Sequence, residues 1–339
     1  MLETIDTEDF LRQYGEFDLI IDARSPSEYA HSKIPKAVNL YALNDQEHEE
    51  IGRIYKQISR SEAKLKGASY ICLNAAKHIF ELNRLCKIGS KIAIYCARGG
   101  QRSSSLATIF SNIGYRVYKL DRGYKGFRAK VVNYLENFPH KNFVVLGGNT
   151  GCGKSELIQA LPNSIDLEAL ANHLGSTFGS VKGEQPSQKE FQNRLFFKLL
   201  DIDTIKPIFI EGESKRIGKI ILPDLLYKRM GEGKRVEITA PIKQRVQRIL
   251  SDYTDIDDEF FYYCMDKITP YIKKEAKEEA IRYYEERNLK KVSEILLLDY
   301  YDHVYKKPLH VEGTVSNTDT KSTVKKIKDR YFRVSTVSS

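Results

Sequence analysis

Apolar residues fall in short runs whose spacing changes along the chain, and that change is the first structural signal. Leu19 to Asp22, Lys91 to Tyr95 and Arg116 to Leu120 are brief β-rich runs that predict strands. Ser103 to Asn112 carries its apolar residues at helical spacing, and Phe127 to Asn137 repeats that pattern before Phe138-Pro139 stops it. Strands alternating with helices predict a mostly parallel sheet covered by helices. A second strand-first unit opens with Asn142 to Leu146, and Ile208 to Ile210 and Arg235 to Ile238 supply two more candidate strands. From Gln244 the pattern turns helical. Tyr262 to Arg287, with its Lys/Glu pairs and tyrosines, predicts one or more amphipathic helices, and Val334 to Ser339 reads as a frayed tail. The expected architecture is α/β, with one domain over residues 1–138 and a second over 139–339 that ends in a helical part.

Length and composition agree with two globular domains, since 339 residues exceed one average domain and the chain is 41% apolar and 29% charged. The five cysteines, Cys72, Cys86, Cys96, Cys152 and Cys264, show no paired metal-ligand spacing and follow no secretory leader, which points to a reducing cytoplasm. No apolar run approaches the span of a bilayer, so no membrane insertion is expected. A formal charge of +9 suits a polyanionic partner, although a scattered Lys/Arg excess on a solvated surface gives the same sum.

Two loops carry the candidate chemistry. In Tyr95-Cys96-Ala97-Arg98-Gly99-Gly100-Gln101-Arg102-Ser103, a cysteine follows an apolar strand and precedes a helix. A thiol there faces unpaired backbone N–H groups and the positive end of the helix dipole, which favour the thiolate. Gly99 and Gly100 let successive N–H groups converge on one anion, and Arg98 and Arg102 add positive charge. A small buried cysteine at a strand end is the bland alternative, and it suffices for Cys72, Cys86 and Cys264. In the second loop, Gly148-Asn149-Thr150-Gly151-Cys152-Gly153-Lys154-Ser155 satisfies G-x-x-x-x-G-K-[ST] between a strand and a helix. Its backbone can wrap a phosphate, Lys154 can reach terminal oxygens, and Ser155 can hold Mg²⁺. Ile208-Phe209-Ile210-Glu211-Gly212-Glu213-Ser214 offers Glu211 and Glu213 as strand-end carboxylates near such a metal, with ordinary strand-end acids as the alternative.

The cysteine loop resembles that of the rhodanese family. Asp22-Ala23-Arg24-Ser25-Pro26-Ser27-Glu28-Tyr29 and Ile34-Pro35-Lys36-Ala37-Val38-Asn39 resemble the family's N-terminal signature, in which a strand-end Asp and a tight turn buttress the cysteine. Lys33 stands where a histidine is common and Lys36 where a glycine is common. The five residues between Cys96 and Arg102 make a loop one residue longer than in tight-loop sulfurtransferases. That length also fits phosphatase-like relatives, so a cysteine phosphatase stays open.

A rhodanese-like loop followed by a P-loop is a narrower pattern and resembles the bacterial tRNA 2-selenouridine synthase family from about Asp22 to Tyr305. Asn44-Asp45, Ile51-Gly52-Arg53-Ile54-Tyr55-Lys56-Gln57 and Asp121-Arg122-Gly123-Tyr124-Lys125 carry that resemblance in the first domain. Asp166-Leu167-Glu168, Gly175-Ser176, Phe178-Gly179, Glu211-Gly212-Glu213-Ser214, Ile217-Gly218 and Tyr300-Tyr301-Asp302 carry it in the second. Ala97, Gln101, Leu174 and Gly212 depart from the family's usual Trp, Met, Arg and Asp. The resemblance implies replacement of sulfur by selenium at position 2 of the wobble uridine of tRNA, with selenophosphate and geranyl diphosphate as co-substrates and an S-geranylated intermediate. It also implies Cys96, Arg98 and Arg102 as the catalytic group. Gly99, Gly100, Lys125, Glu211, Glu213 and Ser214 become substrate contacts, and tRNA rather than a stable protein is the expected partner. Tyr124, Lys125 and Arg128, or Lys267, Tyr271, Lys273 and Lys274, are candidate tRNA-facing groups. The alternatives are a sulfurtransferase or cysteine phosphatase with a nucleotide-binding regulatory domain, and a non-enzymatic P-loop module.

Overall fold

The computed structural model of the chain describes residues 2–179, 183–252, 256–305 and 310–332, so the tail expected from Val334 lies outside the described residues. Contacts divide the chain into two compact units. One runs to Tyr134 and includes Gln192–Phe196; the other comprises Leu135–Phe191 and the chain from Phe197 onward.

In the first unit, β1 (Glu3–Ile5), β2 (Leu19–Asp22), β3 (Ala37–Asn39), β4 (Lys91–Tyr95) and β5 (Arg116–Leu120) form a parallel sheet in the order β1-β5-β4-β2-β3. The three strands expected from apolar runs occupy the expected residues. Pattern reading missed β1 and β3, which are three-residue edge strands too short to show a period. The helices are α1 (Thr7–Arg12), α2 (Pro26–His31), α3 (Asp45–Gln57), α4 (Arg60–Leu85), α5 (Gln101–Ile113) and α6 (Gly123–Asn137). Ile92 and Ile94 of the central strand β4 share a buried core with Leu106 and Phe110 of α5 and Ala75 and Leu82 of α4. α6 starts at Gly123 rather than at Phe127, because its first N–H groups are taken up by the cysteine loop: Tyr124 donates to the Cys96 carbonyl at 2.8 Å and Lys125 to that of Ala97 at 3.0 Å.

A buried polar brace underlies the end of β4. The Asp22 carboxylate, fully buried, accepts from Arg24 Nη2 at 2.6 Å and from the Tyr95 hydroxyl at 2.8 Å. Arg24 Nη2 also donates to the Ser32 carbonyl, and the Tyr95 oxygen accepts from the Ile34 N–H. The Arg24 guanidinium lies 3.9 Å from the centre of the Tyr124 ring. Lys36 holds φ +61, so the turn keeps the left-handed conformation that glycine adopts freely, at a strain of about 1 kcal/mol.

In the second unit, β6 (Phe143–Gly147), β7 (Ser164–Ile165), β8 (Ile208–Glu211), β11 (Lys234–Thr239) and β12 (Gly313–Ser316) form a parallel sheet in the order β12-β11-β6-β8-β7, while β9 (Arg216–Ile217) and β10 (Ile220–Ile221) pair antiparallel. Helices α7 (Lys154–Ala160), α8 (Leu167–Ala171), α9 (Gln188–Leu200) and α10 (Asp224–Glu232) connect these strands, and α11 (Ile242–Asp252), α12 (Asp258–Ile268), α13 (Lys274–Glu285), α14 (Leu289–Leu296), α15 (Asp302–Val304) and α16 (Thr320–Tyr331) follow. The helical reading from Gln244 onward needs one correction. The chain returns to the sheet as β12, pairing Val236 with Gly313 through Thr239 with Ser316. Its four residues follow a long helical stretch and alternate half-buried with exposed, so no apolar run marks them. The expected amphipathic segment is two helices, α12 and α13, whose Phe261 and Tyr284 rings stack with centroids 3.6 Å apart. Among the described residues no helix is long and apolar enough to cross a membrane.

Removing one member of a buried ion pair leaves the other charge uncompensated, which costs about 3–5 kcal/mol. Asp22→Asn should therefore destabilise the chain by about that amount, read as a lowered urea midpoint.

Candidate active site

β4 is the middle strand of its sheet, and Cys96 follows its last residue. The loop curls because Gly99 and Gly123 both have positive φ, +68 and +55. A Cβ at Gly99 would sit 1.8 Å from the Asp121 carbonyl oxygen, and one at Gly123 would sit 2.2 Å from that of Cys96. The bonds from Tyr124 and Lys125 occupy the Cys96 and Ala97 carbonyls, and the N–H groups of Arg98 and Ser103 face the sulfur together with the Gly100 carbonyl, which lies 3.8 Å from Sγ.

Cys96 is only 3% exposed. Burial pushes its thiol up, but the Ser103 hydroxyl, the backbone N–H groups of Arg98 and Ser103, and the Arg102 charge together bring it below the ordinary value. Ser103 Oγ lies 3.2 Å from Sγ and is itself fully buried. Ser103 was legible only as part of a motif; its direct bond to the sulfur had no sequence signal. The other cysteines contrast with this one. Cys72 is exposed, and burial pushes Cys86, Cys152 and Cys264 upward, the last to about 11.

The two arginines differ. Arg98 is exposed, whereas Arg102 donates through Nη1 to Glu28 at 2.5 Å. Glu28 also accepts from the Ser25 N–H, and despite burial the Arg102 guanidinium holds its carboxyl below the usual range. Gly100 caps α5, and the Lys125 side chain is exposed. Tyr124 and Arg128 do not form a surface for RNA. Tyr124 is buried against Arg24, and Arg128 donates to Asn193 and Gln192. Lys267, Tyr271, Lys273 and Lys274 are exposed.

In the second unit the central strand β6 feeds the phosphate loop. Gly148, Gly151 and Gly153 have φ of +140, +77 and +87, and a Cβ at Gly148 would meet the Ile238 carbonyl oxygen at 2.3 Å. The loop is braced from outside. The Tyr305 hydroxyl accepts from the Gly148 N–H, Asn149 Nδ2 donates to Asp302, and Arg245 bonds both the Thr150 carbonyl and the Asp302 carboxylate. Asp302 was visible as the end of a motif and Arg245 not at all. Lys154 Nζ rests on the Gly148 carbonyl at 2.9 Å. Burial opposes its charge, but Cys152 and the carboxylates of Glu213, Glu168 and Glu211 outweigh that and keep it protonated.

Three acids gather beside this lysine. Ser155 Oγ donates to Glu168 Oε2 at 2.7 Å, and the Glu168 N–H donates to Glu211. A Cβ at Gly175 would lie 2.4 Å from a Glu168 oxygen and 2.9 Å from a Glu213 oxygen, so the two carboxylates face one point. Burial raises the pKa of all three, and their mutual repulsion adds to it at Glu168 and Glu211. Glu211 is fully buried behind the cavity, and its Oε1 has no hydrogen-bond partner among the described residues. A cavity of about 250 Å³ is lined by Lys154, Ser155, Glu168, Gly175, Glu213 and Arg248, among others; Ser214 instead sits exposed and donates to the Arg216 carbonyl. Sequence reasoning named Glu211 and Glu213 but gave Glu168 no role.

A curled thiol loop and a phosphate loop, each at the end of the central strand of a parallel sheet, define a rhodanese-like domain joined to a P-loop domain. The rhodanese-like domain family matches residues 6–130, and the tRNA 2-selenouridine synthase AAA domain matches residues 141–268. The tRNA 2-selenouridine synthase of Psychromonas ingrahamii is 33% identical over 243 residues, 71% of this chain and 67% of its own length. That of Alcanivorax borkumensis is 34% identical over 255 residues, 73% and 70% of the respective lengths. The chain belongs to the tRNA 2-selenouridine synthase family.

Because its surroundings favour the thiolate, Cys96 should be alkylated by iodoacetamide with a midpoint below that of an ordinary thiol. Ser103→Ala should move that midpoint to higher pH, followed by mass spectrometry of the Cys96 peptide.

Proposed function

We propose that the protein exchanges sulfur for selenium at position 2 of the wobble uridine in tRNA, working from an S-geranylated 2-thiouridine. The observation that carries this reading is the thiol of Cys96, held toward its anionic form by Ser103 and loop N–H groups in a chain of this family. The selenium of selenophosphate attacks C2 of the geranylated base and expels geranyl thiol; the Cys96 thiolate then attacks phosphorus, the Se–P bond breaks to leave selenouridine, and water hydrolyses the phosphocysteine to phosphate. The loop N–H groups of Gly99 and Gly100, with Arg98 and Arg102, hold the phosphoryl oxygens during that transfer. Arg102 arrives already oriented by Glu28, so its fork is pre-placed. Alkylation of the uridine sulfur turns a poor leaving group into a neutral thiol, which explains why a prenyl donor belongs to a selenium exchange.

The second unit supplies that donor. The diphosphate of geranyl diphosphate fits the N–H groups of Asn149, Thr150, Gly151 and Gly153, with Lys154 on its terminal oxygens, while the Gly148 N–H is taken by Tyr305. The acids beside Lys154 outnumber it, and the cradle needs further positive charge before it takes a diphosphate. The oxygens of Ser155, Glu168 and Glu213 suit Mg²⁺, a hard cation that commonly uses one or two carboxylates with water and phosphate oxygens. Once bound, Mg²⁺ would supply the charge neutralisation that makes diphosphate a better leaving group.

The two steps separate by variant. Cys96→Ser should still geranylate 2-thiouridine tRNA but fail to convert the geranylated base to selenouridine. Lys154→Ala should lower geranylation by about 100-fold or more and still selenate tRNA supplied already geranylated. Mass spectrometry of the wobble nucleoside reads both; selenation by Cys96→Ser, or unchanged geranylation by Lys154→Ala, would refute the corresponding assignment.

A further inference from the structure

A large cavity of the first unit opens beside the cysteine loop rather than within it. It measures about 340 Å³ and lies between α3, α4 and the start of α5. That is more than twice the roughly 150 Å³ apolar cavity that holds a benzene ring. Leu43, Ile51 and Ile71 form an apolar floor. Gly52, Ala63, Gly67 and Ala68 also line it, and these small residues keep two packed helices from filling the space between them. A Cβ at Gly52 would meet nothing within 4 Å.

The lining residues of the rim carry positive charge only, although Glu28, outside the lining, pairs with Arg102 and leaves Lys56 and Lys64 as the uncompensated cations among the described residues. Lys56, Lys64 and Arg102 line the cavity with His48 and Tyr55, and none of its lining residues is acidic. The nearby acids of α3 face elsewhere: Glu47 bonds the Asn44 N–H and Asn74, and Glu50 accepts from Lys66 and Tyr70. Tyr55 is 50% exposed, and the Arg60 guanidinium lies 5.4 Å from the centre of its ring. Arg102 ties the rim to the cysteine loop, since the residue that lines this cavity also lends its charge to the Cys96 thiolate.

An apolar slot with an exposed aromatic ring and an acid-free cationic rim is complementary to one unstacked nucleotide, with its base in the slot and its phosphates on the lysines. An enzyme that works on a base must take that base out of its stack, which leaves neighbouring nucleotides to be held. We infer that this cavity, beside the cysteine loop, binds one unstacked nucleotide of the tRNA substrate. The inference rests on the tRNA-modifying reading above, and it replaces Tyr124 and Arg128, which the fold has buried or engaged.

Fluorescence anisotropy of labelled tRNA with the full chain, over a range of salt, tests it. Tyr55→Ala should weaken binding roughly 5- to 150-fold, the loss of one base stack, and Tyr55→Phe should restore it. Lys56→Ala with Lys64→Ala should flatten the slope of log K against log salt by about 1.4, because two fewer phosphates of a single strand are neutralised. The rate of Cys96 alkylation should stay unchanged in all three. Wild-type affinity and slope in these variants would overturn the inference, as would alkylation that slows in step with binding, which marks a merely structural effect. These binding effects in the variants, together with a wild-type chain that leaves geranylated tRNA unselenated, would defeat the selenation reading and leave the cavity assignment standing.

Discussion

A single methyl group would ruin either loop. At Gly99 it would lie 1.8 Å from the Asp121 carbonyl oxygen, and at Gly148 it would lie 2.3 Å from that of Ile238. Both loops are pressed against the end of a neighbouring strand, and the pressing is what aims the backbone. Where the outer carbonyls are held by other elements, as Cys96 and Ala97 are by the first turn of α6, the N–H groups left over turn inward. An anion-binding site is the by-product of that accounting. In one unit the group placed there is the protein's own Cys96 sulfur; in the other it is the Lys154 side chain, on the Gly148 carbonyl.

The units handle charge in opposite ways. In the first, cations are matched one to one: Arg24 with Asp22, Arg102 with Glu28. The sulfur therefore relies on dipoles, the Ser103 hydroxyl and two N–H groups, with the Arg102 charge as a smaller addition. Dipoles fixed by the backbone need no reorganisation when charge develops. In the second unit, Arg245 and Arg248 are neutralised by Asp302 and Glu156, which leaves Lys154 facing the carboxylates of Glu168, Glu211 and Glu213.

The strands that carry the chemistry were legible because they are central. β2 and β4 are apolar runs of four and five residues, buried on both faces, and β5 is a five-residue β-rich run with Val117 and Leu120 buried, so their limits can be read directly. Edge strands β1, β3, β7 and β12 have two to four residues and owe their existence to a partner already in place. The same division holds at the sites. Cys96, Gly99, Lys154 and Ser155 announce themselves because their chemistry depends on neighbours in sequence. Glu28, Arg245 and Glu168 act across 74, 95 and 13 residues to reach Arg102, Thr150 and Ser155, so spacing carries no trace of them. Lys36 shows the converse: it keeps the left-handed conformation of the glycine expected at that turn, with the chain held before it by the Arg24 and Tyr95 bonds to Ser32 and Ile34 and after it by the Tyr29 hydroxyl on the Ala37 carbonyl.

The α3 and α4 pair follows from the same reasoning about what a fold leaves unfilled. Two helices that meet through small residues bury less apolar area than two that meet through leucines, and each buried methylene forgone is worth about 0.8 kcal/mol. Gly52, Ala63, Gly67 and Ala68 all line one cavity, and each withholds a side chain that would help to close it. Stability alone favours larger residues there. A cavity kept open at that expense, and rimmed by cations next to the Cys96 loop, is explained by an occupant with an apolar face and negative charge, which is the chemical character of a nucleotide.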